Sequence, residues 1–158
     1  MRTTAAILAI LEEEQRVCER MEEVVDAQRA ALLVADLDAL APAVRELEGL
    51  ICRLDALERE RLAHVVALTG ERLGVNPALS ALDIYFDGEE RERLRRLGAA
   101  LRERLDRVRA ANEGNAALIR QAHGLAVAMA RLLSNALPKT YAPSGAVLPP
   151  PLARTWSA

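Results

Sequence analysis

No proline interrupts this chain between Pro77 and Pro138, and one side of a single helix can be followed through most of that interval. Leu94, Leu101, Val108, Asn115, Ala122 and Met129 recur every seven residues, with Leu105, Asn112, Ile119, Ala126 and Leu133 between them. Seven residues are two helical turns, so the repeat keeps one seam facing a neighbour. Asp87 offers a cap in front and Pro138 forbids continuation, which predicts a helix over about 88–137. At 1.5 Å per residue it is roughly 75 Å long. Such a helix cannot bury its own seam; it needs other helices.

Two earlier segments supply them. Leu11, Cys18, Val25 and Leu32 repeat at seven with Met21 between, predicting a helix over about 4–35 whose seam is interrupted by the polar Glu14 and Gln28. Leu37, Val44, Ile51 and Val65, interleaved with Leu40, Leu47, Leu54 and Leu68, predict a second over about 38–73 that frays between Gly70 and Gly74. Asp36 or Asp38 caps it, and Pro42 is tolerated after Asp38 because first-turn amides lack a helical partner. So short a connection makes the two helices antiparallel. A connector over 74–87 holds a short helix at 77–83 after Asn76-Pro77, and then Tyr85 and Phe86, which either close the end of the bundle or form an exposed contact. The expected fold is all-α: a long antiparallel three-helix bundle or coiled coil with an extended third helix. The helical domain is 1–137, and a flexible, proline-rich tail follows at 138–158. The first two helices reach only some 50 Å each, so part of the third must pack on something outside the chain or project beyond them.

Composition narrows the function classes. The length suits one domain. Residues 1–113 carry 17 arginines against 23 acids, whereas everything after Glu113 carries Arg120, Arg131, Lys139 and Arg154 and no acid. Nucleic-acid binding needs clustered cations with stacking aromatics, and the four aromatics (Tyr85, Phe86, Tyr141, Trp156) are scattered. The amino terminus lacks signal-peptide character, and Arg120, His123 and Arg131 interrupt the most apolar stretch, so a soluble cytoplasmic protein without stable membrane insertion is expected. Cys18 and Cys52 are unpaired in sequence and read as buried small hydrophobes, a bridge formed on oxidation being the other reading. His64 and His123 lack the paired spacing of a bundle metal centre. Glu60, one turn before His64, is ordinary helix pairing, and Ala63-His64-Val65 lacks the nearby lysine and glycine of a phosphorelay site. No nucleophile has a base at motif spacing. Neither an enzyme nor a bound cofactor or metal is expected.

What remains is binding. The long helix becomes alanine- and leucine-rich after Asn115, with more apolar surface than one bundle seam uses. Leu118, Ile119, Leu125, Met129, Leu132 and Leu133 are the candidate partner-binding residues; Met129 and the alanines suit a groove that accepts more than one client. Asn112 and Asn115, three residues apart in the seam, either fix register as polar core residues or mark where the intramolecular bundle ends. Leu148 to Arg154 has polyproline character and reads as a spacer.

Asn112-x-x-Asn115 followed by Leu118-Ile119, a long amphipathic helix, and then Tyr141 and Gly145 just beyond its end, together with the Asp36 turn and Leu57-Glu58-x-x-Arg61, resembles the FlgN family of flagellar type III export chaperones. The resemblance spans nearly the whole chain. It implies a cytoplasmic chaperone that binds the carboxy-terminal helical segments of hook-filament junction (hook-associated) proteins, prevents their premature assembly and delivers them to the export gate. By position, Leu118 to Leu137 match the family's client-binding helix and Tyr141 the tyrosine presented to the gate protein. Ala142 stands where the family often has glycine. The same surplus of apolar surface also fits a self-associating coiled-coil scaffold or adaptor, or a weak homodimer of the chaperone.

Overall fold

In a computed structural model of the chain, residues 3–70 and 77–136 are described, the last three by backbone alone. These residues are helical almost throughout: α1 (Thr3–Leu33), α2 (Leu37–Thr69), a short 3-10 helix (Leu79–Tyr85) and α3 (Gly88–Ala136). The chain divides into two compact units, residues 1–118 and 119–158, and α3 contributes to both.

The turn between α1 and α2 is built by backbone bonds and one carboxylate. Asp36 N–H donates to the Ala31 carbonyl (2.9 Å) and Ala35 N–H to that of Leu32 (3.3 Å), closing α1 in a Schellman motif. The left-handed position of that motif is taken by Ala35 (φ 55°), a conformation that favours glycine. Asp36 then caps α2, its Oδ1 accepting from Ala39 N–H at 3.0 Å. Because the cap is Asp36 rather than Asp38, Pro42 lies beyond the first turn, inside α2, and Asp38 loses its helical amide donor. α2 stops at Thr69, short of the expected bound near 73, where Gly70 turns left-handed (φ 60°, ψ 42°) and its N–H bonds Val66.

Ion pairs fix the sense of packing in the first unit. Glu14 meets Arg61 and Gln28 Nε2 donates to the Ala43 carbonyl, so α1 and α2 run in opposite senses. Along α3, Arg93 meets Glu12, Arg104 meets Glu19 and Glu22, and Asn115 meets Val25, so α3 follows the sense of α1. One core cluster joins Ile7, Leu8, Leu11 and Cys18 of α1 to Val65 of α2, Leu82 of the 3-10 helix, Phe86, and Leu94 and Leu101 of α3. A second joins Ile10, Val17, Met21 and Val25 to Leu57 and Val108. Phe86 is thus an end plug of the core, with Tyr85 half-buried beside it.

The connector is held from α3. Arg91 donates twice to the Phe86 carbonyl, at 3.0 Å from Nε and 2.8 Å from Nη2, and Arg95 pairs with Asp83 at 2.6 Å. Gly98 lets the 3-10 helix approach, since a Cβ there would lie 3.1 Å from Leu79 Cδ1.

The seam expected for α2 is half wrong. Leu37, Val44 and Ile51 are exposed, and the face turned inward is instead Leu47, Leu50, Leu54, Leu57, Arg61, Val65 and Leu68. Cys52, next to Ile51, is likewise exposed rather than buried, and both cysteines are free.

Candidate partner-binding surface

Polar residues are buried both within the core and at its end along α3. Glu14 is 1% exposed; one carboxylate oxygen accepts from Arg61 Nε at 3.0 Å and the other has no partner. Burial raises its pKa, and the Arg61 charge opposes that rise. Burial, with Glu14 nearby, also pushes the Cys18 thiol up to about 11, so it behaves as a small hydrophobe and not as a thiolate.

Asn115 is the last fully buried residue of α3 among those described. Its Nδ2 donates to the Val25 carbonyl at 3.0 Å, while Oδ1 is buried without a partner. Asn112, expected beside it in the core, is exposed. Three residues turn the helix by 300°, so the two side chains point roughly 60° apart. At this height the contact with α1 is narrow enough to take only one. Leu118 is half-buried in the first unit.

The second unit, taken by itself, is different in kind. Every residue from Ile119 to Leu133 is exposed, including Ile119 (51%), Leu125 (62%), Val127 (37%), Met129 (55%), Leu132 (69%) and Leu133 (59%). On a helical wheel Leu125, Met129 and Leu132 form one line, and Ile119, Ala126 and Leu133 lie beside it. Arg120 and Arg131, eleven residues apart, fall on the opposite side. The apolar band therefore carries no charged residue. No helix among the described residues is long and apolar enough to cross a membrane. Val127, also exposed, lies away from this band, on the side of Arg120 and Arg131. Tyr141 lies outside the described residues.

Other chemistry is sparse. A cavity of about 180 Å³ between the 3-10 helix and α3 is lined by Leu79, Asp83, Leu94, Arg95 and Arg102 among others. It is smaller than pockets that enclose a drug-sized ligand. His64 is half-buried near Glu60, His123 is exposed, and no group of metal-ligating residues occurs among the described residues.

The described residues thus form a helical scaffold with one long helix, exposed over residues 119–133. The chain belongs to the FlgN family: the profile of the family described as FlgN protein matches residues 1–148. That family consists of flagellar export chaperones, which places the chain in flagellum biogenesis. No curated protein and no solved structure matches it significantly.

Proposed function

We propose that the chain is a cytoplasmic chaperone for hook-filament junction proteins, and that Leu118, Ile119, Leu125, Met129, Leu132 and Leu133 bind their carboxy-terminal helices. The observation that carries this reading is the continuous exposure of residues 119–133, apolar along one band and following the last acid of the sequence, Glu113. A client helix with an exposed apolar stripe aggregates in water. Seating it on this band buries both surfaces, at about 25 cal/mol per Å² less the cost of ordering them. Binding driven this way is insensitive to salt, because no ion pair crosses the band. The buried amide of Asn115 separates the residues that hold the chaperone from those that hold the client. Tyr141 then docks the loaded chaperone to the export gate protein.

The test is binding of a junction-protein carboxy-terminal peptide to the Leu125→Asp/Leu132→Asp double variant. The reading expects a loss of roughly 100-fold or more in affinity with unchanged helical circular dichroism. Unchanged affinity contradicts it. Tyr141→Ala is expected to keep client binding and weaken gate docking; equal docking by variant and parent removes Tyr141 from that role.

A further inference from the structure

Arg120 and Arg131 are the described arginines of the second unit, and neither has a carboxylate to meet. In the first half of α3, Arg93, Arg95, Arg104, Arg107 and Arg109 each pair with an acid. Beyond Glu113 the sequence holds no acid, and Glu113 itself stands seven residues before Arg120, roughly 10 Å along the helix. Both arginines are exposed, with roughly 16 Å of helix between them. They occupy the side of α3 opposite the charge-free band of Leu125, Met129 and Leu132. A helix with one uncovered apolar face, cations on the other and no acid has the composition of a segment that lies in a membrane interface. It does not have that of one that spans: no helix among the described residues is long and apolar enough.

We propose that residues 119–133 also bind the surface of an anionic lipid bilayer, reversibly and in the plane of the interface. An interfacial helix sinks its apolar face by about 5–10 Å. Its far side, about 10 Å away, then comes level with the lipid phosphates, where long arginine side chains reach them. A single protein helix seated on the band meets neither cation; a bilayer serves both faces at once. Charge also orients the chain. Residues 1–113, with 17 arginines against 23 acids, are repelled by the surface that attracts the four cations and no acid of residues 114–158. Lipid and client use the same band, so each excludes the other: the empty chain is held at the membrane and loading releases it. That exclusion rests on the client site proposed above; lipid binding itself does not.

Flotation of the full chain with vesicles tests the proposal, comparing phosphatidylcholine alone with equal parts phosphatidylcholine and phosphatidylglycerol. The chain is expected to float with the anionic vesicles, and its partition to fall by roughly tenfold or more on neutral vesicles or in about 1 M salt. Arg120→Gln/Arg131→Gln lowers partition onto anionic vesicles by roughly tenfold and leaves junction-peptide affinity and circular dichroism unchanged. Leu125→Asp/Leu132→Asp abolishes flotation, and excess junction peptide releases the parent chain. No flotation with anionic vesicles, equal flotation with neutral ones, or an arginine variant that floats like its parent each overturns the proposal. So does flotation that survives Leu125→Asp/Leu132→Asp, because it moves the contact off the band. A junction peptide that fails to bind the free chain refutes the client reading alone, and flotation then stands as its own result. One that binds the floating chain without releasing it overturns the exclusion and places the client elsewhere.

Discussion

α3 carries the same seven-residue repeat along its whole length, yet its two halves do opposite things. From Leu94 to Asn115 the seam is buried against α1, α2 and the 3-10 helix, and arginines on its flanks pair with α1 carboxylates. From Ile119 to Leu133 the residues are as apolar and every one is exposed, with no acid among them. The periodicity is shared; what differs is the flanking charge and the presence of a neighbour. A repeat tells that a helix has a seam, and the charges beside it tell whether the seam is filled from within the chain.

The comparison breaks first at Leu94. Leu94→Ala should cost about 2–5 kcal/mol of unfolding free energy, whereas Leu125→Ala should stay within about 0.5 kcal/mol, both read by urea denaturation. Equal costs would mean the second half is packed like the first. Next is the buried pair. Arg61→Leu strands the Glu14 carboxylate and should cost about 3 kcal/mol, and adding Glu14→Leu should recover most of it. The pH dependence of this pair has a definite sign. Burial raises the folded-state pKa of Glu14 above its ordinary value of 4.5, so protonated Glu14 favours the fold, and that contribution is lost as pH rises through the raised pKa. Measured against Glu14→Gln, the parent should therefore lose relative stability as pH rises above about 4.5. A difference independent of pH in that window contradicts the assignment.

The smaller effects sharpen the boundary. Asn115→Ala should cost about 1 kcal/mol for its bond to Val25, and Asn112→Ala nothing measurable. Ala35→Gly should stabilise the chain by about 1 kcal/mol, because Ala35 sits where glycine is favoured. Thermal midpoints resolve both.

The sequence carried much of this and misled in a few informative places. The seam of α1 and the first half of that of α3 are legible because apolar residues occupy nearly every position. α2 misled because two seven-residue series run along it side by side. Leu37, Val44 and Ile51 look as convincing as Leu40, Leu47 and Leu54, and Arg61 continues the true series with a charge that reads as its end. The missed signal was a match across helices. Glu14, an acid interrupting one seam, and Arg61, a base interrupting the other, lie where antiparallel pairing brings them together. Asn112 misled because a seam position predicts burial only where a neighbour reaches it. The apolar band on the second half of α3 was legible because nothing polar interrupts it; Tyr141 rests on the family resemblance alone.

The division of α3 is tested most directly by hydrogen exchange followed by mass spectrometry, with and without a junction-protein carboxy-terminal peptide. A helix segment without tertiary packing opens readily. Amides of 119–133 should exchange fast in the free chain and slow markedly on adding the peptide, while those of Thr3–Leu33 and of α3 up to Asn115 stay slow in both. Slow exchange of 119–133 in the free chain, or peptide protection confined to residues before Asn115, would contradict the account.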